Sequence, residues 1–252
     1  FYQDWHIEQA EIPPGWRTGW HACREGAYKV LRHKVYQLPY GILVRQELEV
    51  KGADGVLTQE TFLPDYADYV ECSAKWTMTL NTHPEAAYIV FPFDVPDATA
   101  RYDVGGQAVI AGEEQLPGVC RDYFTVQGWV DFNNGQRGVM VATPENPMVQ
   151  LGDFHFGHYQ SEFALEQATL LGWVVNNYWE TNFRAHQPGM VQARYRIQAY
   201  DGAFDEAAAH RFGSDALHQM PVFQHLGEPL TASDPLPATG SLLDLPTGPV
   251  QV

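Results

Sequence analysis

The sequence predicts an all-β protein made of two packed antiparallel sheets, with one short helix near 205–216. Three observations predict it: apolar and aromatic runs recur along the chain, turn residues separate them at short intervals, and strands do not alternate with helices. The run Ile42-Leu43-Val44-Arg45-Gln46-Glu47-Leu48-Glu49-Val50 reads as a strand, Gly52-Ala53-Asp54-Gly55 as a turn, and Val56–Phe62 as the return strand. Asp68–Thr82 continues the pattern, with Tyr69, Val70, Cys72, Trp76, Met78 and Leu80 largely sharing one parity. Tyr88–Phe93, Gly106–Ile110, Phe124–Phe132, Gly138–Ala142 and Val191–Tyr200 supply further strands. Asn133-Asn134-Gly135, Thr143-Pro144 and Gln187-Pro188-Gly189 punctuate them. Asp205–Phe212 combines strong helix formers with acidic residues in its first turn, which places the helix.

The chain divides on these signals into residues 1–40 (an N-terminal extension or first strands), a β-sandwich over 41–228, and 229–252. The last segment is rich in Pro, Ser and Gly and reads as a linker, ending in Val250-Gln251-Val252 as the start of a truncated further strand. Together with the non-methionine Phe1, that ending suggests a chain cut at both ends.

Composition narrows the function classes. Hydrophobic residues at 45% and charged residues at 18% fit a globular protein of 252 residues with a substantial core. A net charge of −16, from 15 basic against 31 acidic side chains, argues against nucleic acid or an anionic membrane as partner, since both demand a cationic footprint. No apolar run has the length of a membrane span and no secretory signal is recognisable, so the expected location is cytoplasmic. Cys23, Cys72 and Cys120 are odd in number and widely spaced, which points to buried or weakly reactive thiols in place of a disulfide framework or metal motif.

The densest concentration of binding chemistry is Gly172-Trp173-Val174-Val175-Asn176-Asn177-Tyr178-Trp179-Glu180-Thr181-Asn182-Phe183. Aromatic faces cover the C–H side of a pyranose, while amides satisfy its hydroxyls. The alternative is an Asn-rich turn between buried strands. In Arg121-Asp122-Tyr123, a guanidinium fork steadied by a neighbouring carboxylate could donate to sugar hydroxyls, with the tyrosine as a face or phenol. The competing role is an ion pair that pins a loop.

Other constellations are weaker. His155 and His158 near Asp153 differ in strand parity and lack a second ligand pair, and His6 with Glu8 and His83 with Glu85 are weaker still, so no metal site is expected. Glu113, Glu114, Asp131, Asp153, Glu162, Glu166 and Glu180 offer carboxylates, but no spacing selects an acid and a nucleophile. Phosphate-loop, dinucleotide and Gly-x-Ser-x-Gly signatures are absent, which disfavours nucleotide binding and serine-hydrolase chemistry.

Three ordered blocks between about Tyr88 and Phe212 resemble the late β-domain of the family-38 α-mannosidases, a glycoside hydrolase family. They are Gln115–Asp131, Val141–Asp153, and Asn176-Asn177-Tyr178-Trp179 through Phe183 followed by Gln187-Pro188-Gly189 and Arg194-Tyr195-Arg196. The resemblance implies a supersandwich similar to galactose mutarotase. It also implies a non-catalytic C-terminal β-domain that buttresses an N-terminal catalytic domain and lends side chains to the rim of the mannoside pocket. On that implication Arg121, Asp122, Tyr123, Asn176, Asn177, Trp179 and Asn182 are the candidate α-mannoside-binding residues, none of them catalytic. The intact enzyme would carry out zinc-dependent, retaining hydrolysis of α-mannosides. The zinc ligands and nucleophilic aspartate would lie in an α/β domain that this sequence does not show, so no cofactor is expected in this chain. Two alternatives stand beside it. One is a self-standing mutarotase-like enzyme using His155 or His158 with Glu162 or Glu180 as acid and base; the other is a carbohydrate-binding or assembly module.

Overall fold

A computed structural model describes residues 2–7, 20–27, 29–82, 85–154, 162–177 and 186–218. In chain order the strands are β1 (Tyr2–Ile7), β2 (Trp20–Glu25), β3 (Lys29–Leu38), β4 (Gly41–Glu49), β5 (Leu57–Pro64), β6 (Val70–Met78), β7 (Glu85–Pro92) and β8 (Thr99–Val104). They continue as β9 (Gln107–Ile110), β10 (Phe124–Thr125), β11 (Trp129–Asn133), β12 (Arg137–Ala142), β13 (Met148–Leu151), β14 (Thr169–Asn176) and β15 (Gly189–Asp201), followed by α1 (Glu206–Leu217). Among the described residues the expectation of an antiparallel all-β fold with one short helix holds.

Two sheets form. A six-stranded sheet runs β10-β13-β14-β7-β1-β2, and a nine-stranded sheet runs β3-β4-β5-β6-β15-β12-β11-β8-β9. Alternation along each strand sends one set of side chains between the sheets and the other outward. Val130, Phe132, Val141, Ala193 and Tyr195 from the large sheet meet Phe124, Val149, Leu151 and Leu170 from the small one. At the other end Leu48, Leu57, Trp76 and Met78 close on Val175 and Ala87. The even positions of β6 supply this inner face, as the parity of Trp76 and Met78 predicts, whereas Leu80 lies past the strand and is 71% exposed. β15 is central: it pairs β6 on one side and β12 on the other.

The helix begins where the sequence places it. Asp205 caps it by accepting the Ala208 N–H at 3.0 Å, and the helix lays Ala209, Phe212 and Ala216 on Trp129, Met140 and Ala142 of the outer face of the large sheet. On the same outer face the Asp131 carboxyl is fully buried, and its Oδ2 accepts a 2.6 Å hydrogen bond from the Tyr200 hydroxyl. Burial pushes its pKa up to about 6, against the opposing pull of the Tyr200 hydrogen bond and the Arg101 guanidinium.

Two expectations are corrected. The continuous strand expected over Phe124–Phe132 is two strands in different sheets, β10 and β11. The break is built by Asp103, whose Oδ1 accepts the backbone N–H groups of Gln127 (3.0 Å), Gly128 (2.8 Å) and Trp129 (3.0 Å). Three donors gathered on one carboxylate oxygen form a turn where a ladder would need them aimed at a neighbouring strand. The other correction concerns the thiols. Cys120 is exposed and free, while Cys72 is partly buried, and that burial raises its thiol pKa.

Candidate functional site

The candidate segments converge on the outer face of the six-stranded sheet. β13 and β14 pair with Gln150 opposite Leu171, and β14 and β7 pair with Trp173 opposite Tyr88. Tyr88, Leu171, Trp173, Ala86 and Phe154 therefore form an outer cluster, with Tyr123 packed against it. The Trp173 ring is its centre. Tyr88 stacks on it with centroids 5.5 Å apart and Tyr123 meets it edge-on at 5.6 Å, while Trp173 Nε1 donates to the Val175 carbonyl at 3.1 Å.

Arg121-Asp122-Tyr123 reaches this face because it leads directly into β10, which pairs with β13 through Phe124 opposite Val149. The Asp103 turn holds the far end of β10. Arg121 is buried, and Asp122 and Tyr123 are half-buried. Burial, with added repulsion from Cys120 and Asp122, raises the Tyr123 pKa, so the phenol stays a neutral donor around pH 7.

The adjacent amides separate. β14 carries a register shift between Trp173 and Val175, and Val175 packs inward with Trp76 and Met78. Strand alternation then sends Asn176 to the outer face shared with Trp173, and Asn177 to the inner side. Asn177 is 6% exposed; its N–H donates to the Glu85 carbonyl at 2.8 Å and its side-chain amide to the Asn81 carbonyl at 3.3 Å. Asn177 thus ties the end of β14 to the β6–β7 connection.

Asn146 holds Trp173 next to the shift. With its amide oriented so that both ends are satisfied, its nitrogen donates to the Trp173 carbonyl at 2.7 Å, and its oxygen accepts from Trp173 N–H at 3.1 Å and from the Tyr195 hydroxyl at 2.9 Å. The side chain thereby takes over the backbone pairing that β13 gives to Gly172. Tyr195 reaches it by crossing Gly172, where a Cβ would stand 2.0 Å from the phenol oxygen.

Trp179 and Asn182, like His155, His158 and Glu180, lie outside the described residues. Glu162 and Glu166 are exposed, and Asp153 accepts the Phe154 N–H at 2.7 Å. Glu113 is exposed, and Glu114 accepts the Ile110 N–H at 2.8 Å. Among the described residues, no group of three or more His, Cys, Asp or Glu is arranged to hold a metal ion. No helix among them is long and apolar enough to cross a membrane.

The residue that sequence reasoning passed over is Gln150. It is fully buried, shares the outer-face parity of Leu171, and neither atom of its side-chain amide has a hydrogen-bond partner among the described residues. Each orphaned group costs about 1–3 kcal/mol. A lone polar residue inside Met148-Val149-Gln150-Leu151 was the available signal.

No family model matches the chain, and no curated protein matches it in sequence. Among solved structures, an α-mannosidase from Enterococcus faecalis V583 superposes with a TM-score of 0.55 over 74% of this chain at 10% identity. A protein in glycosyl hydrolase family 38 from Enterococcus faecalis gives the same TM-score, 0.55, with 74% of this chain covered at 10% identity. A putative aldose 1-epimerase from Escherichia coli K12 reaches a TM-score of 0.38 at 12% identity, covering 67% of this chain and 68% of its own, a level that carries no argument. This chain covers 24% of each of the two Enterococcus chains, so it spans about a quarter of their length. The likeness is one of fold: these sheets share their architecture with part of the Enterococcus faecalis α-mannosidase.

Proposed function

We propose that this chain is a non-catalytic β-domain of a family-38-type α-mannosidase, buttressing a catalytic domain and contributing to its mannoside-binding rim. The observation that carries the reading is the convergence of Arg121–Tyr123 with the Trp173–Asn176 end of β14 on one sheet face. The fold likeness to an Enterococcus faecalis α-mannosidase supports it.

In this reading Tyr123 gives the apolar wall against the C–H side of a mannose ring, with the buried Trp173 backing it, and Asn176 its hydroxyl partner. Arg121 and Asp122 are the charged residues next to Tyr123, Asn177 fixes the strand end, and Trp179 and Asn182 are proposed as further mannoside-binding residues. The chemical step, a zinc-dependent retaining hydrolysis, belongs to a catalytic domain outside these residues, and no step is assigned to this chain.

The test is hydrolysis of an aryl α-mannoside by the purified chain with zinc added. Turnover no greater than buffer is expected. Zinc-dependent turnover that survives repurification would place a complete active site within the chain and overturn the reading.

A further inference from the structure

A groove of about 430 Å³ lies on the opposite side of the sandwich, along the outer face of the nine-stranded sheet. Its floor is Leu43, Glu60, Phe62, Glu71, Ser73, Arg194 and Arg196 from β4, β5, β6 and β15, whose register brings Leu43 opposite Phe62, Phe62 opposite Glu71, and Glu71 opposite Arg196. Pro144 and the end of α1 at Ala216 form one bank, and Tyr40 at the β3–β4 turn stands at the other end.

The lining is chemically uniform in one respect: every charge is matched. Arg196 Nε and Nη2 both contact Glu71 Oε1, at 3.2 and 2.9 Å; Arg45 Nε lies 2.6 Å from Glu60 Oε1; and Arg194 Nε lies 2.5 Å from Glu145 Oε1. In a chain of net charge −16 this is a neutral, fork-fixed surface. An anionic or cationic ligand would have to break a pair to bind. A neutral polyhydroxylated one would use the remaining N–H groups and the second oxygens of Glu60 and Glu71, since each of those pairs runs through Oε1.

The apolar component is equally specific. Tyr40 is 54% exposed and meets Phe62 edge-on with centroids 5.8 Å apart. The pair is seated by Gly41, where a Cβ would be 2.3 Å from the Leu63 carbonyl oxygen and 2.8 Å from the Phe62 ring. An aromatic face with a fixed tilt beside preorganised donors and acceptors is suited to a ring with one C–H face and one hydroxyl edge.

We infer that the groove between Tyr40–Phe62 and the Glu71–Arg196 pair is a second binding site, for a neutral saccharide, separate from the Tyr123–Trp173 face. It stands whether or not the mannosidase reading does, because the two faces belong to different sheets.

The test is an amide-resolved NMR titration of the purified chain with methyl α-D-mannopyranoside, methyl α-D-glucopyranoside and glucuronate. Saturable shifts at Tyr40, Phe62, Ser73 and Arg194 are expected with at least one glycoside. Tyr40→Ala should weaken them at least about tenfold, the effect of losing an aromatic face worth about 1.4 kcal/mol, and Tyr40→Phe should retain them. Tyr123→Ala should leave them unchanged. Shifts confined to the Tyr123 face, equal shifts in Tyr40→Ala, or tighter binding of glucuronate than of the glycosides would each overturn the inference.

Discussion

Asp131→Asn is the substitution whose effect the structure fixes most closely. The Asp131 carboxyl is fully buried on β11, accepts the Tyr200 hydroxyl at 2.6 Å, and has no hydrogen-bond partner at Oδ1 among the described residues. Its pKa rises from 3.8 to about 6 because burial outweighs the hydrogen bond from Tyr200 and the attraction of Arg101. The folded state therefore holds this proton more tightly than the unfolded chain does. The stabilising contribution is complete below about pH 4 and is lost as the pH rises through about 6. Roughly two pH units correspond to about 3 kcal/mol. Asparagine keeps an acceptor for Tyr200 and never ionises. Denaturant unfolding of both proteins at pH 4, 5, 6 and 7.5 should show the Asn variant gaining on the native chain by about 2–2.5 kcal/mol from the lowest pH to the highest, most of the full effect. Comparing the two cancels every carboxylate they share. A difference flat across this range would mean that Asp131 is ionised throughout, with Arg101 winning over desolvation, and the reasoning would fail.

Asp103→Ala strips three backbone donors of their common acceptor and should cost about 3 kcal/mol or more, read as a lower denaturation midpoint with faster amide exchange at Gln127–Trp129. Asp103→Asn, which retains an acceptor, should recover part of that. Gly172→Ala should lower stability by about 2–3 kcal/mol, because the new methyl displaces Tyr195 from Asn146; a change below about 0.5 kcal/mol would show that Tyr195 relaxes freely. Gly41→Ala should likewise destabilise by about 1–3 kcal/mol and abolish saccharide shifts at Phe62, both measurable on the same sample.

The hairpin of β4 and β5, the inward stripe of β6, and the helix were all legible in the sequence, because each rests on local periodicity or capping. β14 was not read as a strand. Thr169–Val175 is buried almost throughout, so it lacks the polar–apolar alternation that marks a half-exposed strand. The break between β10 and β11 was hidden for another reason: its cause, Asp103, lies more than twenty residues away. The candidate site divides in the same manner. Arg121-Asp122-Tyr123 and the asparagine pair were conspicuous as composition, yet their meeting depends on β10 pairing with β13 and β13 with β14. Which of Asn176 and Asn177 faces outward depends on the register shift between Trp173 and Val175, which no spacing rule reveals.

The central place of β15 carries a consequence for how the molecule is made. β3–β6 form one antiparallel run and β8, β9, β11 and β12 another, and β15 is the strand that joins them. Until Gly189–Asp201 has been synthesised, β6 and β12 each present an open ladder to solvent, and their eventual partner is up to about 125 residues downstream of Glu71. Closing loops of that length is slow. A ribosome stalled before Gly189 would hold two half-sheets with adhesive edges, so this fold's exposure to aggregation lasts until β15 has been synthesised.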